Sequence, residues 1–137
     1  MTKQRHWVLV FAALLVVLTS LPYLWAAQQA GPEWVFGGFV YGIDDGHSYI
    51  AKMLRGAQGD WLFRSPYSTQ EQGGALLYLP YLLLGKLFGP QATHSQLVLA
   101  FHFFRMLSIG LLCWALYDFF SLYLKDEANR RWGLLLA

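Results

Sequence analysis

The sequence predicts an all-α integral membrane protein: two transmembrane helices joined by an external loop with amphipathic juxtamembrane helices, and a further span starting at the C-terminus. Three observations predict it. Apolar residues make up 56% of the 137 residues, and the 13 glycines raise that to about 65%, against about 45–50% for soluble domains counted the same way. Charged residues are only 13%, about half the usual quarter. They are also unevenly spread, with none from Trp7 to Pro32. This composition excludes a disordered tail, a basic nucleic-acid-binding domain and an ordinary soluble enzyme. The partners it implies are a lipid bilayer and no nucleic acid. The single Cys113 lies in an apolar stretch and cannot form an internal disulfide.

Residues 1–6 carry Lys3 and Arg5 and form a short basic N-terminus. Residues 7–27 are 21 uncharged residues, and about 20 suffice to cross a hydrocarbon core roughly 30 Å thick. Pro22 lies near the far end, where a kink is tolerated, and Tyr23 and Trp25 suit the interfacial aromatic belt. A cleaved signal peptide competes with this reading, since Lys3, Arg5 and Ala26-Ala27 fit its pattern, but the apolar stretch exceeds the usual 7–15 residues.

The second span occupies 97–124. Arg105 and Asp118 bracket its uncharged centre, 13 positions apart, which is about 20 Å of helix rise, so each charge reaches toward an opposite interface by snorkelling or faces protein. Residues 75–88 are apolar but interrupted by Pro80 and Lys86, a length suited to an interfacial or re-entrant helix more than to a third crossing. Five basic residues (Lys3, Arg5, Lys125, Arg130, Arg131) flank the two spans on their short ends, against four (Lys52, Arg55, Arg64, Lys86) in the long middle segment. The positive-inside rule therefore puts the N-terminus and the 125–131 loop in the cytoplasm and 28–96 outside, in a multi-pass protein of the cell (plasma) membrane. Residues 132–137 read as the start of a truncated span, so the remaining spans of the same protein, or another subunit, are expected partners.

Within the external loop, Tyr49, Ile50, Met53, Leu54 and Ala57 fall on one helical face and His47, Ser48, Lys52 and Arg55 largely on the other. This predicts an amphipathic interfacial helix near 46–57, with Asp44 or Asp45 as N-cap and Gly56 or Gly59 as stop. Capping and the helix dipole account for one acid. The adjacent second carboxylate points to a general base, or to both acids holding a divalent cation, Mg²⁺ or Mn²⁺, through oxygen ligands that would not need His47. His94 and His102 are spaced poorly for haem or zinc, and no phosphate-binding glycine motif, cysteine pair or nucleophile elbow occurs.

The ordered features resemble the N-terminal part of the GT-C membrane glycosyltransferases, in the group of protein O-mannosyltransferases and aminoarabinose transferases. The acidic pair Asp44-Asp45, the following helix with Gly59-Asp60-Trp61-Leu62, the apolar segment from Ala75 to Gly89 and the span opening Arg105-Met106-Leu107-Ser108 carry the likeness, over about residues 7–137. The second acid is Asp where Glu is commoner, and Gly73-Gly74 stands where Pro-Pro is frequent. The resemblance implies sugar transfer from a polyprenyl-phosphate-linked donor at the outer membrane face. Asp44 and Asp45 would then be catalytic and could hold a metal, and Lys52, Arg64 and Arg105 would contact the substrate phosphate, although solvated or snorkelling roles stay open for these three cations. Alone, such a fragment is expected to be inactive. The alternative is a small non-enzymatic two-span membrane subunit or assembly factor. A transporter fragment fits less well, because the polar features concentrate in the external loop.

Overall fold

The computed structural model describes residues 3–137, with side chains from Arg5 onward; Met1, Thr2 and the side chain of Lys3, part of the expected cytoplasmic N-terminus, lie outside the described residues. Among the described residues, five helices follow one another: α1 (Lys3–Gln29), α2 (Ile43–Ala57), α3 (Leu79–Lys86), α4 (His94–Tyr123) and α5 (Glu127–Leu136). No strand occurs among the described residues; one isolated antiparallel bridge joins Phe63 and Ala75. Two helices are long and apolar enough to cross a membrane: Arg5–Gln29, with mean hydropathy 2.3, and His94–Tyr123, with mean hydropathy 1.8. Both leave large apolar side chains exposed, among them Leu14, Val17, Leu21, Leu107, Leu111 and Leu112. Such surfaces are unfavourable in water and compatible with a membrane protein.

The chain divides into two compact units, one made of residues 1–22 and 104–137, the other of Tyr23–Phe103. In the first, Val8, Ala12, Cys113, Tyr117 and Leu134 form the core. The Arg105 guanidinium donates to the Thr19 carbonyl at 3.1 Å and to Ser20 Oγ at 2.8 Å. Those groups lie next to Pro22, whose missing N–H frees a carbonyl one turn earlier in α1. Arg130 donates to the Leu124 carbonyl at 2.7 Å, satisfying an acceptor left over at the end of α4. Residues 127–136 form one helix whose Leu134 enters the core, so helical structure begins inside the stretch read as a loop.

In the second unit, α2 and α3 pack backbone against backbone. Met53 and Leu82 are fully buried. Gly56 faces the backbone of Leu82, and Gly85 faces the backbone of Met53, so closely that neither position has room for a Cβ. The helix bounds differ from the sequence expectation for local reasons. Helix α2 begins at Ile43 because Gly42, at φ 57, turns the chain into it, and the Gly46 N–H returns to the Gly42 carbonyl at 2.8 Å. Asp44 and Asp45 thereby enter the first turn instead of capping it. Helix α3 starts only at Leu79, because Ala75 is tied to Phe63 and Tyr78 adopts a left-handed conformation, φ 55, just ahead of Pro80.

The end of α2 follows the Schellman pattern. Gly59, at φ +105, donates to the Gly56 carbonyl at 2.9 Å, and the Asp60 N–H donates to the Arg55 carbonyl at 3.2 Å. The Arg55–Asp60 ion pair, 2.7 Å, closes the same turn. Lys86 of α3 donates to the Gly59 carbonyl at 2.7 Å, linking the two helix ends.

Gly56→Ala and Gly85→Ala each press a methyl group onto backbone, which cannot rotate away. Each is expected to destabilise the second unit by about 1–3 kcal/mol, read as a lowered thermal midpoint of the detergent-solubilised chain. Gly73→Ala, with nothing within 4 Å of its Cβ, serves as the neutral control.

Candidate functional site

Of the expected site residues, Asp44, Asp45, Lys52 and Arg64 belong to the second unit and Arg105 to the first. Asp44 and Asp45 are exposed in the first turn of α2, where backbone N–H groups without helical partners favour negative charge. Below them the helix turns one face inward, with Gly46, Ile50, Met53 and Ala57 buried. The Phe39 ring lies directly over Gly46, and Phe39, Ile50, Met53 and Leu97 form the local core.

Lys52 is 7% exposed, the single buried charged side chain among the described residues. Its ammonium donates to Ser48 Oγ at 2.7 Å and lies 4.7 Å from the Tyr49 ring centre and 4.2 Å from that of Tyr78. A cation between two tyrosine faces is attracted by their quadrupoles. Burial pushes the Lys52 pKa down from its ordinary value, and the Asp45 charge pushes back. Asp45 and Lys52 therefore act on each other electrically along α2. Tyr49 stacks on Tyr81 at 4.6 Å and on Phe101 at 5.7 Å, and burial raises the Tyr81 pKa, with Tyr49 adding to it.

The other two expected phosphate contacts sit on other elements. Arg64 is exposed in the loop between α2 and α3, where it and Arg55 line an open cavity. Arg105 belongs to the other unit and is bonded to α1. Among the described residues, no group of three or more His, Cys, Asp or Glu side chains gathers to hold a metal ion. Asp44 and Asp45 offer two neighbouring carboxylates, a donor set that Mg²⁺ uses together with substrate phosphate oxygens.

Sequence reasoning weighed His94 and His102 as cofactor ligands only. In the structure their Nε2 atoms lie 3.3 Å from the Gly37 carbonyl and 2.8 Å from the Gly38 carbonyl. Because a carbonyl only accepts, both rings donate from Nε2, and they pin the loop that carries Phe39. His47 packs against Phe39 at 5.8 Å and His94 at 6.1 Å. The eight-residue spacing of His94 and His102 on α4 was the available signal; their carbonyl partners, more than fifty residues away, were not legible. Comparison with protein-family models, curated protein sequences and solved structures finds no match to this chain.

The depressed Lys52 pKa fixes the sign of a pH effect. Below the folded-state value the ammonium is charged in both states and its desolvation opposes folding. Between that value and the ordinary 10.5, the unfolded chain binds more protons, so stability rises with pH. The thermal midpoint of the wild type relative to Lys52→Met is therefore expected to increase as pH rises through this window. Taking the difference cancels the opposing contribution of Tyr81.

Proposed function

We propose that this chain forms the N-terminal part of a polytopic GT-C glycosyltransferase, which moves a sugar from a polyprenyl-phosphate donor to an acceptor hydroxyl at the outer face of the cell membrane, its own N-terminus being cytoplasmic. The observation that carries the reading is the exposed pair Asp44–Asp45 opening an amphipathic helix, in a unit whose chain neighbours on both sides are helices long and apolar enough to span a bilayer. The ordered motifs of the sequence support the same reading.

The apolar surface of the second unit fits a substrate held in lipid. Leu76, Leu77, Leu83 and Leu87 are exposed around α3, where a polyprenyl chain or the bilayer interface would cover them. In the transfer step, the acceptor oxygen forms a bond to the anomeric carbon as the bond from that carbon to the polyprenyl phosphate breaks. The hydroxyl proton passes to the carboxylate of Asp44 or Asp45, and the polyprenyl phosphate leaves with the bonding electrons. A divalent cation held by both acids would instead neutralise the leaving phosphate.

In the full-length gene product, Asp44→Asn and Asp45→Asn made separately should lower transfer of labelled sugar from a polyprenyl-phosphate donor, by about 10²–10⁴-fold for the one that acts as base. Loss of activity on EDTA treatment, restored by Mg²⁺ or Mn²⁺, would assign the cation role. Undiminished transfer in both variants at normal expression removes the catalytic assignment and leaves a non-enzymatic membrane module.

A further inference from the structure

The first unit carries a cavity of its own, at the end where the apolar run of α1 begins. It is open, with a volume of about 480 Å³, within the range of small-molecule sites, about 300–1,000 Å³. Glu127, Ala128, Arg131, Trp132 and Leu135 line it from α5, and Trp7 lines it from α1. The α5 positions follow the spacing of one helical face. One edge of the cavity is polar. Arg131 is ion-paired with Glu127 through Nη2, and its guanidinium lies 5.3 Å from the Trp7 ring centre. Among the described residues no second acceptor meets this guanidinium, so the N–H groups of Nη1 remain to be offered. The other edge is apolar, with Trp132 62% and Leu135 49% exposed.

Positive charge is in excess around this cavity. Arg5, Lys125, Arg130 and Arg131 stand against Asp126 and Glu127 in the same unit. Arg5 lies 5.0 Å from the Trp114 ring centre, and Arg130 donates to the Leu124 and Lys125 carbonyls; neither a ring nor a carbonyl cancels a charge. Of these four cations, only Arg131 has a carboxylate partner among the described residues.

We propose that the cavity binds the headgroup of an anionic phospholipid. The lipid phosphate accepts from Arg131 in a charge-assisted bond, and the cations without carboxylates draw a negative lipid to this end. The glycerol and first acyl carbons cover Trp132 and Leu135, tryptophan being suited to the headgroup level of a bilayer. A soluble phosphate ester would meet the polar edge and leave the apolar one in water. A zwitterionic lipid would cover both edges and bring no net charge to the cations. None of the residues expected to serve sugar transfer lines the cavity, so the site is independent of the transferase reading.

Calorimetry on the detergent-solubilised chain tests this, with phosphatidylglycerol titrated in phosphatidylcholine mixed micelles. Saturable binding is expected, weakened about 10-fold or more by Arg131→Gln and by Trp132→Ala, and weakened by added salt. Arg131→Lys, which keeps the charge and loses the fork, should fall in between. Trp132 is exposed, so Trp132→Ala should keep the wild-type circular dichroism spectrum. It decides the matter if Arg131→Gln, which also breaks the Glu127 pair, fails to fold. Phosphatidylethanolamine and glycerol 3-phosphate, titrated separately, should bind at least 10-fold more weakly. No saturable binding of phosphatidylglycerol, wild-type affinity in Trp132→Ala, or equal affinity for either comparison ligand overturns the proposal. So does a self-associated chain, seen by light scattering, that excludes the lipid.

Discussion

The second unit depends on a close approach of two helix backbones. With Gly56 and Gly85 set reciprocally against the Leu82 and Met53 backbones, α2 and α3 meet at a separation that side chains would prevent. Dispersion falls off steeply with distance, so atoms brought this near each other gain contacts that a wider interface forfeits. Met53 and Leu82 are sealed completely as a result, and Tyr49 is brought flat against Tyr81. Small residues at a helix crossing are also the usual device where helices meet without much hydrophobic driving force between them. The position of every site residue on α2 relative to the following loop follows from this contact.

Upon that frame sits a buried charge. An ammonium taken out of water needs compensation, and Lys52 receives it from Ser48 Oγ, two tyrosine faces and the Asp45 charge. Its engagement explains why Lys52 and Arg64, which look interchangeable as cations in the sequence, differ in availability. One is enclosed by α2, Tyr49 and Tyr78; the other is exposed in a loop. Arg105 is likewise occupied, by the backbone and side chains of α1 next to Pro22.

The long helices were legible from apolar runs that are uncharged over residues 7–27 and interrupted in 97–124 only by Arg105 and Asp118. The period of α2 placed Ile50, Met53 and Ala57 inward as found, but Lys52, read on the polar face, is buried and Leu54, read on the apolar one, is exposed, because the Tyr49 and Tyr78 rings take in the lysine. Of the two stops the sequence offered, Gly56 lies inside α2 and Gly59 is the left-handed residue that follows it. The start of α2 was not legible: Asp44 or Asp45 looked like a cap because acids commonly are, yet Gly42 turns the chain without any side-chain bond. The late start of α3 depends on a bridge between Phe63 and Ala75, twelve residues apart, which no local propensity reports. Of the candidate site, the acids and cations could be named from the sequence. Their grouping could not, because it was decided by which carbonyl, ring or hydroxyl each met first in space.

Tyr78 carries the sharpest trade in the chain. A non-glycine residue in the left-handed region costs about 1–2 kcal/mol, and glycine would remove that strain at once. Yet glycine would also remove the ring 4.2 Å from the Lys52 ammonium and the edge-on contact with Phe63 at 4.9 Å. The backbone is therefore held in an uncomfortable posture by what its own side chain touches. Local comfort and tertiary contact pull this one residue in opposite directions, so a search for stabilising substitutions guided by backbone geometry alone would choose the position where the gain is most misleading.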